Sequence, residues 1–275
     1  MSILDLLVIF ASGIATGVIG AMLGVGGGVF IIPILVIALG IPVRTAIAAS
    51  IIAVIATSSA AAGIYLGSRL SNIRLGMTLE TATTIGGLGG GIIAVSLSQG
   101  LLQWLFAGIL MLTAAAIWRR AQQRAAVPEA PDEGSLGSHY YDPALQRTVR
   151  YRPVRLPVGW GVSLLAGVAS GLFGIGGGVI KVPAMVLGMR VPTKAAMATS
   201  DFMIGVTAVA SAFVYYAHGD LDILIAAPAA MGTFLGSLLG ASWAPRVRSR
   251  VLSRIFAGLL LVLAVQMGLR ALGFF

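Results

Sequence analysis

The chain has 275 residues, 58% of them hydrophobic and 10% charged, with a mean hydropathy of +0.99. That is too apolar for a soluble domain of this size and implies an all-α, polytopic membrane protein. Its net charge of +9 would suggest nucleic acid in a soluble protein, but the arginines fall mainly between the apolar runs, where they set orientation, so no nucleic-acid partner is expected. The absence of cysteine excludes disulfides, thiolate metal sites and iron–sulfur clusters.

In chain order, runs long enough to cross a bilayer as helix recur at 3–23, 45–66, 77–97, 101–118, 157–174, 195–216, 222–243 and 251–271. Two shorter apolar pieces, 28–40 and 178–189, follow glycine clusters. The first run has no basic flank and is too long for a cleaved signal, so it reads as the first helix of the mature chain. Residues 119–156 are polar, with seven Arg against four acids, and read as a mobile cytoplasmic linker loop without helical periodicity.

The chain is one unit written twice. At an offset of 150 residues, stretch 17–50 matches 167–200 with 13 identities in 34 ungapped positions, including Gly24, Gly26, Gly27, Gly28, Pro33, Pro42 and Ser50 with their mates. The register persists at Tyr65 and Tyr215, Thr83 and Thr233, and Phe106-Ala107-Gly108 and Phe256-Ala257-Gly258. This divides the chain into repeat 1 (1–118), the linker (119–156) and repeat 2 (157–275). With the linker inside, the 66–76 loop with Arg69 and Arg74 is also inside, and so are Arg246, Arg248, Arg250 and Arg254. The uncharged turn at 98–100 and the acidic 218–222 loop then fall outside. The repeats are therefore inverted, both termini are outside, and the short segments either cross with their predecessors or form re-entrant pairs.

Helix-face glycines such as Gly13, Gly17, Gly20, Gly24, Gly86, Gly90, Gly167, Gly171, Gly236 and Gly240, spaced by three or four residues, read as close-packing positions. The triplets Gly26–Gly28 and Gly176–Gly178 differ, because three consecutive glycines break a helix. A nucleotide-binding turn is a poor match, since Val29 and Val179 stand where a dinucleotide fingerprint needs its third glycine and both flanks are membrane helices. A break at membrane depth, by contrast, exposes backbone N–H groups and a helix N-terminus that suit an anion. Paired breaks in inverted halves point to a transporter site near the midplane.

Lys181 sharpens this reading, because its repeat mate is Ile31 and a buried cation is costly in a membrane. It either faces a bound anion or pairs with Asp201, whose mate is Ile51. Ser50, Thr199 and Ser200 would line the cavity, or bond to their own helix backbone. Asp201 is the candidate for proton coupling. Arg44 and Lys194 read as interfacial, Glu80 as a helix-start acid suited to the dipole, and His139 and His218 as loop residues that make no metal motif. No cofactor is expected.

At the residues "GVIGAMLGVGGGVFIIPIL" and "GVASGLFGIGGGVIKVPAMV", with the later "AIAAS" and "AAMATS", the chain resembles the TauE/SafE sulfite exporter family of membrane permeases. The resemblance covers both halves and implies export of sulfite or organosulfonates across the cytoplasmic membrane without an ATPase subunit. The expectation is a secondary transporter with eight spans and two broken or re-entrant segments. Gly26, Gly27, Gly28, Gly176, Gly177, Gly178, Lys181, Ser50, Thr199 and Ser200 would form its anion site. Uptake of another sulfur-containing anion, a passive anion channel and a membrane scaffold are the alternatives. An intramembrane enzyme is disfavoured by the lack of H-E-x-x-H, G-x-S-x-G and a cysteine nucleophile.

Overall fold

The computed structural model describes residues 1–122, 134–142, 146–244, 257–258 and 261–269. Among the described residues the elements run in order α1 (Ile3–Leu23), α2 (Gly28–Pro33), α3 (Val43–Gly67), α4 (Ile73–Ser96), α5 (Gln99–Gln122), β1 (Ser138–Asp142), β2 (Arg147–Tyr151), α6 (Leu156–Phe173), α7 (Gly178–Pro183), α8 (Thr193–Ala217) and α9 (Ile223–Trp243). Residues 261–269 are also helical. Five of these helices, α1, α3, α6, α8 and α9, are long and apolar enough to cross a membrane. The expected span at 251–271 and the arginines at 246–254 lie largely outside the described residues.

The two halves repeat one another element by element. In each, a long helix ends on a left-handed glycine, Gly24 or Gly174, and a short helix follows the glycine triplet. That short helix reaches a proline, Pro33 or Pro183, and continues in the wider π register at Ile34–Ala38 or Ala184–Gly188. A proline inside a helix cannot donate to the residue four before it, and a π turn is one local register change found at such interruptions. The continuous segments Gly28–Ala38 and Gly178–Gly188 are each about 16 Å long.

Packing interlocks the halves. Helix α1 lies on α9 and α4 lies on α6, with α3 and α8 between them. The helix-face glycines make these approaches, as expected from their spacing, except Gly20, which abuts Gly27 in the turn of its own repeat. A methyl group at Gly17 would lie 2.8 Å from the Thr233 Cα, and one at Gly167 would lie 2.9 Å from that of Thr83. The fold thus forms two groups, α1–α3 with α9 and α4 with α6–α8, each drawing on both repeats.

The linker is not a plain loop. Strands β1 and β2 pair antiparallel, with Tyr140 opposite Val149, and bury Tyr140, Val149 and Tyr151 in a cluster with Leu70, Leu75, Val182, Met185 and Met189. Lys194 Nζ at the start of α8 meets Asp142 Oδ1 at 2.7 Å, and Asn72 donates to the Leu136 carbonyl at 2.8 Å. The polar composition concealed this hairpin, because its alternating residues Tyr140, Val149 and Tyr151 form a short period-two pattern within a charged segment.

The hairpin also marks one end of the molecule. The Val154 N–H donates to the Met189 carbonyl at 3.1 Å, so the start of α6 lies beside the end of the 178–188 segment. Helix α6 and the short segment therefore run out and return to the same end of the molecule. The loop before α4 and the start of α8 share that end with the linker. At the far end of α3, Arg44 donates to the Leu97 carbonyl at 2.5 Å.

Candidate functional site

The two glycine turns meet at the centre of the molecule. Positive φ values of 77° and 53° at Gly26 and Gly27, and 72° and 71° at Gly176 and Gly177, turn the chain where a side chain would strain it. Ser50 on α3 donates to the Gly174 carbonyl at 2.8 Å, and Ser200 on α8 donates to the Gly24 carbonyl at 2.9 Å. Each serine thus holds the turn of the opposite repeat. Gly26 and Gly176 both face the side chains of Val54 and Ile204, themselves repeat mates and fully buried. The turns are closed over by these two apolar side chains.

The structure brings Gly26, Gly27, Gly28, Gly176, Gly177, Gly178, Ser50 and Ser200 together. Thr199 is committed elsewhere: its hydroxyl accepts the Asn72 N–H at 2.9 Å, fixing the loop before α4. Tyr65 and Tyr215 brace the turns from outside, donating at 2.9 Å to the carbonyls of Ala21 and Gly171.

Lys181 lies in α7, fully buried, with its stem against Gly177. It does not pair with Asp201. Its Nζ is 3.8 Å from Glu80 Oε2 and donates to Thr207 Oγ1 at 3.3 Å. Thr207 in turn donates to Glu80 Oε1 at 2.6 Å, Thr83 donates to Oε2 at 2.7 Å, and Thr84 donates to Oε1 at 3.2 Å. Asp201 is fully buried on α8, and neither carboxylate oxygen has a hydrogen-bond partner. Its backbone carbonyl accepts the Ser58 hydroxyl.

Glu80 is thus the residue that the sequence reading misplaced. Helix α4 begins at Ile73, capped by the Asn72 side chain on the Leu75 N–H, so Glu80 lies two turns inside the helix and is buried. The apolar run starts only at 77, which made Glu80 look like a helix-start acid. Two signals were available: an N-cap asparagine at 72, and threonines three and four residues after the glutamate on the same helix face.

The repeat mates of this network are Ile31, Ala230 and Thr57. The first half therefore has no ion pair at the equivalent place. Among the described residues, no group of three or more histidine, cysteine or acidic side chains is arranged to hold a metal ion. The arrangement puts a buried cation, facing a glutamate, within the short helix that starts at a glycine break.

The chain matches the family model described as sulfite exporter TauE/SafE over residues 9–267. It is similar to the probable membrane transporter protein YunE of Bacillus subtilis (strain 168), at 23% identity over 96% of this chain and 97% of that one. It also resembles a probable membrane transporter protein of Xylella fastidiosa (strain 9a5c), 27% identical over 96% of this chain and 95% of that one. A second Bacillus subtilis relative, the probable membrane transporter protein YdhB, is 28% identical over 94% and 99% of the two chains. No solved structure matches the chain.

Proposed function

Because the chain belongs to the sulfite exporter TauE/SafE family of multi-pass membrane proteins, we propose that it is a secondary transporter exporting sulfite or a small organosulfonate across the cytoplasmic membrane. The observation that carries the reading is Lys181, a buried cation whose stem lies on the glycine turn at Gly177. The amides of Gly26–Gly28 and Gly176–Gly178 would cradle the sulfonate oxygens, with Ser50 and Ser200 positioning the turns and Lys181 supplying the charge. Thr199 would act on the site through Asn72 and the entry loop.

The proposed topology is an inverted repeat of eight helices with two short re-entrant segments, the linker cytoplasmic and both termini outside. Alternating access would move the group α1–α3 with α9 against α4 with α6–α8. The α3–α8 seam, with Val54 and Ile204 across it, is where this reading puts the gate. Coupling to protons belongs to the proposal, and Asp201 and Glu80 are the buried acids available for it.

The test is sulfite efflux from proteoliposomes of the purified protein, with and without a pH gradient, with Lys181→Ala beside the wild type. Saturable flux that Lys181→Ala abolishes supports the site, and gradient dependence supports coupling. Non-saturating flux without counterflow would make the protein a channel, and no flux of sulfite or any sulfonate would remove the transport reading.

A further inference from the structure

The Lys181–Glu80 pair is unevenly held. The carboxylate accepts three threonine hydroxyls at 2.6, 2.7 and 3.2 Å, whereas the ammonium has one hydroxyl at 3.3 Å and the carboxylate at 3.8 Å. Charge-assisted N–H···O bonds are ordinarily about 2.7–2.9 Å. Glu80 is fixed in place, and Lys181 is left with donor capacity.

A buried pair of this kind has no net charge, and a monovalent anion added beside Lys181 would leave one uncompensated negative charge in a low-dielectric interior, which is unfavourable. A proton on Glu80 removes that charge while leaving Lys181 to the anion. We propose that Glu80 is the coupling acid: an anion binds at Lys181 together with one proton on a Glu80 carboxylate oxygen, and both leave together. This rests on the anion reading above. No bond in the cargo is made or broken. The proton comes from the aqueous phase that supplies the anion and returns to the phase that receives it.

Other charged groups around Glu80 are occupied or turned away. Helix α6 carries no titratable side chain, and α7 carries only Lys181. On α8, Lys194 is held by Asp142, Tyr215 donates to Gly171 and Tyr216 is exposed. Asp201 lies about 120° around α8 and about 9 Å along it from Thr207. On α4 itself, Arg74 reaches the Ser135 carbonyl at 3.4 Å.

The sign follows from linkage. An anion that binds with one proton binds more tightly at low pH, its affinity falling by up to about tenfold per pH unit. The experiment measures the Kd of methanesulfonate, which keeps one charge between about pH 5 and 8, on the full-length protein in nanodiscs, with sulfite in parallel. Proton uptake is recorded in weak buffer. Expected are about one proton taken up per anion and a loss of affinity of up to about tenfold per unit. Glu80→Gln should give pH-independent binding and Asp201→Asn the wild-type dependence.

Binding by the wild type without proton uptake would overturn the role of Glu80 and leave the anion site standing. Loss of the dependence in Asp201→Asn but not in Glu80→Gln would overturn it too. Should Glu80→Gln fail to fold, wild-type proton uptake retained in Asp201→Asn carries the support. If neither methanesulfonate nor sulfite binds, the anion reading falls and takes this inference with it.

Discussion

Replacing Lys181 alone should cost more than replacing it together with its partner. Lys181→Met leaves the Glu80 carboxylate buried without a cation, a loss of about 3–5 kcal/mol. In Lys181→Met with Glu80→Gln no charge remains; the Thr207 and Thr84 hydroxyls keep an acceptor in the amide carbonyl, and Thr83 turns its hydroxyl to the Glu80 backbone carbonyl, 3.1 Å away, leaving its oxygen to accept from the amide nitrogen. The double variant should recover most of the loss in thermal unfolding in detergent. A double variant as unstable as the single would mean that the pair acts through packing rather than charge. The lysine stands out in the sequence because its mate is an isoleucine, and the Asn72 cap and following threonines place Glu80 inside its helix, but nothing in the sequence pairs the two. The two are 101 positions apart in different repeats, and the nearer acid, Asp201, lies about 9 Å along α8 from Thr207 and on another side of that helix. Spacing within one helix does not say which helices meet, nor at what level.

At the level of elements, glycines that look alike in the sequence separate by what faces them. Gly17→Ala drives a methyl group into the backbone of α9 at Thr233, and overpacking of this kind costs about 1–3 kcal/mol. Gly63→Ala, in α3 with open space around it, should be neutral or gain up to about 1 kcal/mol. Melting temperatures of the two variants in one detergent check this, and equal shifts would count against the α1–α9 packing.

The hairpin gives a pH-dependent element outside the membrane helices. Burial, reinforced by the Asp142 charge, pushes the Tyr140 phenol well above its ordinary range. A phenol raised by folding adds stability that is full below the unfolded value of about 10 and declines as pH rises above it. Protease cleavage at the hairpin should therefore accelerate above about pH 10 in the wild type, and Tyr140→Phe should flatten that response. The glycine breaks and most helices were legible because each follows from local chemistry. The hairpin was hidden, because two five-residue strands gain their order from the helix ends on which they dock.

For the whole molecule, the testable quantity is sidedness. The chain contains no cysteine, so single cysteines can be introduced one at a time without background. Ser68→Cys and Gly134→Cys should label together from the cytoplasmic side. Gly100→Cys and Gly219→Cys should label from outside with an impermeant maleimide on intact cells. Labelling of positions 68 and 134 from opposite sides would break the shared end built around the linker, and uniform reversal would invert the proposed orientation without changing the fold.

The serine contacts that cross between the turns also bear on how the protein is made. When the first repeat has left the ribosome and entered the bilayer, Ser50 has no Gly174 to bind, and the Gly24 carbonyl still waits for Ser200. Helix α1 likewise lacks α9, its glycine face turned to lipid or to whatever chaperone the insertion machinery supplies. The first half of the chain thus cannot complete its own centre during translation. The last long helix described closes a structure that the first one opened.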